Sequence, residues 1–288
     1  MSDTRTLTLG HSPDPDDAFM FYALAAEKIP TGRWRFEHIL QDIQTLNERA
    51  TRGELHISAI SIHAYAYVLD KYALLPCGAS MGDGYGPMLI ACQGTQPPTN
   101  EKEVDWILRQ RIAVPGELTS AFLALRLYVE GKLPQYDVVP FDEIFDYVRD
   151  GRADLGLIIH EGQLTYAREG FKKVIDLGEW WQHATGLALP LGGNVIRKDL
   201  TPAERSEING ILRESIRYGL THRAAGVAHA MPLARGLDTR LADQFIGMYV
   251  NDVTLDYGDR GRAAIREFLG KAHAAGLIPA PVELEFVE

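Results

Sequence analysis

The chain has 288 residues, 46% of them hydrophobic, enough to bury a sizeable core and to divide into two lobes. Its formal net charge of −10, with the basic residues scattered, excludes the electrostatic footprint of a nucleic-acid-binding protein. No run approaches the roughly 18 apolar residues of a membrane span, and residues 1–10 lack the basic start and apolar core of a secretory signal, so a cytoplasmic globular protein is expected. Cys77 and Cys92 lie in apolar runs and read as buried reduced thiols. The nine histidines show no H-E-x-x-H pairing, and a metal is not expected.

Residues 5–10 alternate as a strand, and residues 11–17 turn into a helix that begins near Ala18. There Asp14 suits the cap, Pro15 the first helical position, and Asp16 and Asp17 the positive end of the helix dipole; the cluster reads as structural rather than as a catalytic acid pair. Ser12 shares that loop and could reach a ligand. A second strand is expected over residues 35–40, followed by a helix from about Ile43, capped by Asp42 and ended at Gly53. Residues 54–60 form a third strand, and a helix over residues 61–69 starts at once, leaving Ser61 at a junction with free backbone N–H groups beside it.

Apolar runs at residues 72–77 and 87–92 flank a glycine-rich loop. Gly78-x-Ser80-x-Gly82 within it matches a nucleophile elbow, but no helix pattern follows the serine as that motif requires, so a loop at a cleft mouth is the better reading. Residues 93–100 look like a linker. Beyond them, strands at residues 111–116 and 137–140 alternate with helices at residues 119–128 and 141–150, before an apolar strand that ends at His160. This β-α-β-α-β order implies a parallel sheet, with Thr119 and Ser120 opening a helix at one strand's carboxyl end. Ligands bind beyond such ends, so His160 is either a base in a cleft or a histidine satisfying a loop hydrogen bond. A return strand at residues 187–196 leads into a helical remainder, with a capping box at Thr201-Pro202-Ala203-Glu204 and with Asp238 and Asp259 as later caps.

Taken in order, Ser12-Pro13-x-Pro15-x-Asp17-x-Phe19, Asp42-x-x-Thr45-Leu46-Asn47, Ala113-Val114-Pro115-Gly116, Gly156-Leu157-Ile158-Ile159-His160-Glu161, Val174-Ile175-Asp176-Leu177-Gly178-x-Trp180-Trp181 and Leu189-Pro190-Leu191-Gly192 resemble the 1,4-dihydroxy-6-naphthoate synthase family of the futalosine route to menaquinone. The resemblance implies an α/β, two-lobed, periplasmic-binding-protein-like (type II) fold with a ligand cleft between the lobes. Residues 1–92 and 190–288 would form the first lobe, and residues 93–189 the inserted second. It further implies a cofactor-free lyase that splits cyclic dehypoxanthinyl futalosine, a small carboxylate-bearing substrate, into dihydroxynaphthoate and a three-carbon fragment. His160 takes the proton-acceptor position, Ala59, Ile60 and Ser61 the first-lobe ligand contacts, and Thr119 and Ser120 the second-lobe ones. One departure stands out: the family commonly has Cys, Asn and Thr where this chain has Asp14, Asp16 and Ala18, an acidic change expected to repel an anion. The alternatives are a solute-binding protein for small anions, the related chorismate dehydratase and, least favoured, a serine hydrolase.

Overall fold

The computed structural model describes residues 4–96 and 102–288; residues 1–3 of the N-terminal stretch and residues 97–100 of the expected linker lie outside the described residues. In chain order the strands are β1 (Arg5–His11), β2 (Trp34–Leu40), β3 (Ile57–Ser61), β4 (Tyr72–Leu74), β5 (Ser80–Gly82), β6 (Met88–Cys92), β7 (Arg111–Val114), β8 (Gln135–Val138), β9 (Leu155–Ile158), β10 (Phe171–Asp176) and β11 (Leu189–Arg197). They form two mixed sheets, one in each lobe. The first has the order β2-β1-β3-β11-β4, with β5 also paired to β11; β1, β2 and β3 are parallel, and β11 runs against β3 and β4. Every residue of β3 is buried, as in a parallel strand covered on both faces.

The second sheet has the order β10-β6-β9-β7-β8. Its β7, β8 and β9 are parallel and are joined through the helices Ser120–Tyr128 and Ile144–Arg149, while β6 and β10 complete it antiparallel. The expected boundary at 92/93 is therefore displaced. Because β6 pairs with β9 and β10, the chain enters the second lobe at residues 83–87, and it returns at residues 186–188. The first connector lies against the start of the helix Leu177–Thr185 that leads to the second: Leu177 N–H donates to Pro87 O at 2.9 Å, and a side chain at Gly178 would meet Tyr85 O at 1.9 Å.

The remainder is helical only as far as Ala274, not to the end as expected. The tail then extends along β4, where Leu74 N–H donates to Glu285 O at 2.8 Å and Val287 N–H to Leu74 O at 2.9 Å. Asp42, Thr201 and Asp238 cap their helices through side-chain oxygens. Asp259 does not; it lies inside the first turn of Gly258–Ala274, and Asp256 accepts from Gly258 N–H at 2.9 Å. The helix expected over residues 61–69 is a single turn, Ile62–Tyr65. No helix among the described residues is long and apolar enough to cross a membrane.

Candidate active site

A cleft of about 800 Å³, continuous with solvent at its mouth, takes its lining from both lobes. Strand register lays its first-lobe floor: Gly192, Gly193 and Asn194 of β11 face Ser61, Ile60 and Ala59 of β3 across the antiparallel pair, and all six line the cleft. Glycine is required at 193, where a side chain would meet the Tyr257 hydroxyl at 2.3 Å. The second lobe contributes Thr119, Ser120 and Ala121 from one helix start, with Ile159 and Gln163. The five ligand-contact positions expected from the sequence thus surround one space.

Their hydroxyl groups are not equivalent. Ser61 is gripped by the fully buried Asn47, donating its N–H to Oδ1 at 2.8 Å and accepting from Nδ2 at 3.0 Å on Oγ, which leaves its hydroxyl proton uncommitted at the cleft. Thr119 Oγ1 accepts from Phe122 N–H as the helix cap and donates to Gly116 O at 2.8 Å. Ser120 Oγ accepts from His63 N–H at 3.1 Å and donates to Leu191 O at 2.6 Å, so it ties the second lobe to the first. Both protons serve the protein. The donors that this helix offers a ligand are its first backbone N–H groups, which precede the i→i−4 ladder.

The acidic loop behaves differently from its sequence reading. Asp14 occupies the cap position, yet its carboxylate makes no cap; it accepts from Ser12 Oγ and pairs with Arg235 Nη1 at 2.7 Å. Asp17 accepts from Ser12 N–H at 2.6 Å, and Asp16 and Asp17 both line the cleft. Enclosure by the protein, reinforced by their carboxylate neighbours, pushes Asp17 up to about 7 and Asp16 well above the carboxylate range. Of the two acidic departures from the family pattern, Asp14 is thus paired with a cation, and enclosure disfavours the charged form of Asp16.

His160 lies two residues past the end of β9, is 7% exposed, and is not among the residues lining the cleft, although Ile159 and Gln163 on either side are. Its Nδ1 accepts from Gly162 N–H at 2.8 Å, the loop hydrogen bond anticipated as the alternative to a base. The neutral ring then carries its proton on Nε2, which is sealed without a hydrogen-bond partner among the described residues, and the centre of the imidazole lies 5.7 and 5.5 Å from those of the Phe141 and Phe145 rings. Burial lowers its pKa; Glu161 and Asp14 oppose that shift, and Arg235 adds to it.

Sequence reasoning missed Arg235, Gln163, Tyr249 and Asn194. Arg235 binds Glu161 of the second lobe at 3.0 and 3.1 Å as well as Asp14 of the first, and its guanidinium lies 4.7 Å from the Phe141 ring centre. Tyr249 hydroxyl donates to Gln163 Oε1 at 2.6 Å. Gln163 was legible, since it falls one turn after His160, and Asn194 sits beside a Gly-Gly pair in a strand. Arg235 and Tyr249 carry no local signal, because only the tertiary fold brings Tyr249 to the cleft and Arg235 to Asp14 and Glu161. Ser80 lies on a strand rather than before a helix, so no nucleophile elbow forms.

Two α/β lobes with a cleft between them define the periplasmic-binding-protein-like class, and solved members are similar. The alkanesulfonate-binding protein SsuA of Xanthomonas axonopodis pv. citri matches with a TM-score of 0.70 over 98% of this chain and 97% of its own, at 12% identity, which speaks for fold alone. A crystal structure from Archaeoglobus fulgidus matches with a TM-score of 0.86 and 43% identity over 95% of this chain and 98% of its own. A family model described as menaquinone biosynthesis covers residues 7–274, and the chain belongs to that family. Two relatives named 1,4-dihydroxy-6-naphthoate synthase are similar: one from Streptomyces coelicolor at 40% identity, covering 96% of this chain and 95% of its own length, and one from Thermus thermophilus at 37%, covering 96% and 98%.

Proposed function

We propose that this chain is a cofactor-free carbon–carbon lyase of the 1,4-dihydroxy-6-naphthoate synthase type, working in the cytoplasm on cyclic dehypoxanthinyl futalosine and releasing the naphthoate and a three-carbon fragment. The observation that carries this reading is the similarity, over 96% of the chain, to two synthases of that name. The cleft suits such a ligand. Its lining includes no Lys, Arg or His among the described residues, so a carboxylate would be held by neutral donors, the Ser61 hydroxyl and the N–H groups opening the Ser120–Tyr128 helix. Ala59 and Ile60 shape the floor, and Ile43, Ile159, Leu191 and Phe245 offer apolar surface to a fused ring.

His160 acts in this reading as the base, removing a proton beside a position where the developing charge delocalises; cleavage follows, and aromatisation favours product. The ring must first turn, since Gly162 N–H holds the lone pair on Nδ1 and the proton-bearing Nε2 faces away from any partner. The base role requires the ring to turn towards the cleft that Ile159 and Gln163 line. Incubating the protein anaerobically with cyclic dehypoxanthinyl futalosine should yield a naphthoate product by chromatography. Binding without turnover would instead favour the solute-binding alternative.

A further inference from the structure

We propose that Gln163 and Asp16 form a subsite that recognises a hydroxyl group of the ligand, the amide donating to its oxygen and the carboxyl accepting its proton. The inference rests on the reading of this cleft as the site of a hydroxyl-bearing, ring-containing substrate.

Gln163 is 3% exposed and lines the cleft. The Tyr249 hydroxyl, itself buried, donates to its Oε1 at 2.6 Å, and that bond fixes which end of the amide faces outward. Its Nε2 donates to no acceptor among the described residues and is not one of the sealed unpartnered atoms, and the residue lines the cleft. An enclosed amide left without an acceptor costs free energy, and a ligand oxygen would relieve that cost. Among the described residues the Asp16 carboxyl meets no donor but its own backbone N–H, and it lines the same cleft as Tyr249 and Gln163.

The pairing of these two groups selects the ligand chemistry. A hydroxyl accepts from the amide and donates to the carboxyl at once. An apolar group would leave both unmet. Tyr249 belongs to the first lobe and Gln163 to the second, so the donor is aimed only while the lobes are together.

Calorimetric titration under anaerobic conditions with 1,4-dihydroxy-6-naphthoate and with 2-naphthoate, which lacks both hydroxyls, tests this. Wild-type protein should prefer the dihydroxy compound by about tenfold or more, the worth of the two hydrogen bonds together. Gln163→Met and Asp16→Leu keep side-chain volume and remove the polar atoms. Each should cut the preference to about threefold or less while leaving 2-naphthoate affinity within about twofold. Unchanged preference in both variants, or no preference in the wild type, overturns the inference. Loss of 2-naphthoate binding in both variants overturns it too, since it would mark a structural role. Wild-type turnover of cyclic dehypoxanthinyl futalosine is measured alongside: turnover without hydroxyl preference defeats the subsite alone, whereas neither turnover nor binding defeats the functional reading beneath it.

Discussion

His160 is held by its own loop, and the base role proposed for it requires the ring to leave that bond. Its ring serves the loop through Gly162, and the same burial that seals it keeps the imidazole neutral below the ordinary histidine value of 6.5. A base must be neutral, so the acid limb of the pH–rate profile should fall as pH drops through a value under 6.5, and a steady-state profile checks it. His160→Asn retains a hydrogen-bonding side chain; turnover should fall by about 10²–10⁴-fold with substrate affinity nearly unchanged. Normal turnover in that variant would leave the histidine as a loop residue. The serines separate in the same way. Ser61→Ala removes an uncommitted donor and should weaken carboxylate binding by roughly 10- to 150-fold. Ser120→Ala removes a bridge between lobes and should lower unfolding stability by about 1–3 kcal/mol, with its backbone N–H still available to the ligand. Equal affinity losses with intact stability would show that the Ser120 proton is not committed to Leu191. Sequence alone placed these residues at a cleft but could not assign their protons, which depend on Asn47, His63 and Leu191 arriving from elsewhere.

At the scale of elements, local pattern identified β1, β3, β7 and β9 because their apolar runs are bounded by caps and turns, but it could not choose sheet partners. The run at residues 88–92 reads equally well in either lobe; only its pairing with β9 and β10 assigns it to the second. The chain crosses just after Gly82 in the glycine-rich loop read as a cleft mouth, whereas Gln93, which opens the more conspicuous linker, still donates to Gly170 O within the second lobe. The segment after the helix Arg223–Ala230 shows the same limit, for nothing in its sequence announces that Arg235 joins Asp14 to the buried Glu161. Arg235→Gln should leave Glu161 without its cation and cost about 1–3 kcal/mol in a denaturant titration, between the values for exposed and buried pairs. It should also raise the acid limb of the rate profile. The charged groups acting on His160 are Glu161, Asp14 and Asp142, which favour its protonated form, and Arg235, the one opposing charge. An acid limb that stays in place would show that Arg235 acts on stability alone.

For the whole molecule, the question is whether the lobes behave as one body. The apolar core is continuous between them: Ile60, Tyr65 and Phe268 of the first lobe share a cluster with Leu123, Leu155 and Trp181 of the second, and the rings of Trp181 and Phe268 are centred 5.3 Å apart. Polar ties run beside it, from Ser120 to Leu191, from Leu118 N–H to Gln44 at 3.1 Å, and from Tyr249 to Gln163. With burial shared in this way, opening one lobe exposes apolar surface of the other, so the two should unfold together. The tryptophans allow a direct test. Trp34 lies in β2 of the first lobe, and Trp106, Trp180 and Trp181 all lie in the second. In a Trp34→Phe variant, fluorescence reports the second lobe while far-ultraviolet circular dichroism reports both, and the two denaturation curves should coincide. A cleft ligand present at about 100 times its Kd should then raise stability by roughly 2.7 kcal/mol in both signals, because it binds the joined form. A fluorescence transition separated from the circular dichroism transition, with only one of them shifted by ligand, would mean that the lobes fold independently and that the shared core contributes little to holding the cleft together.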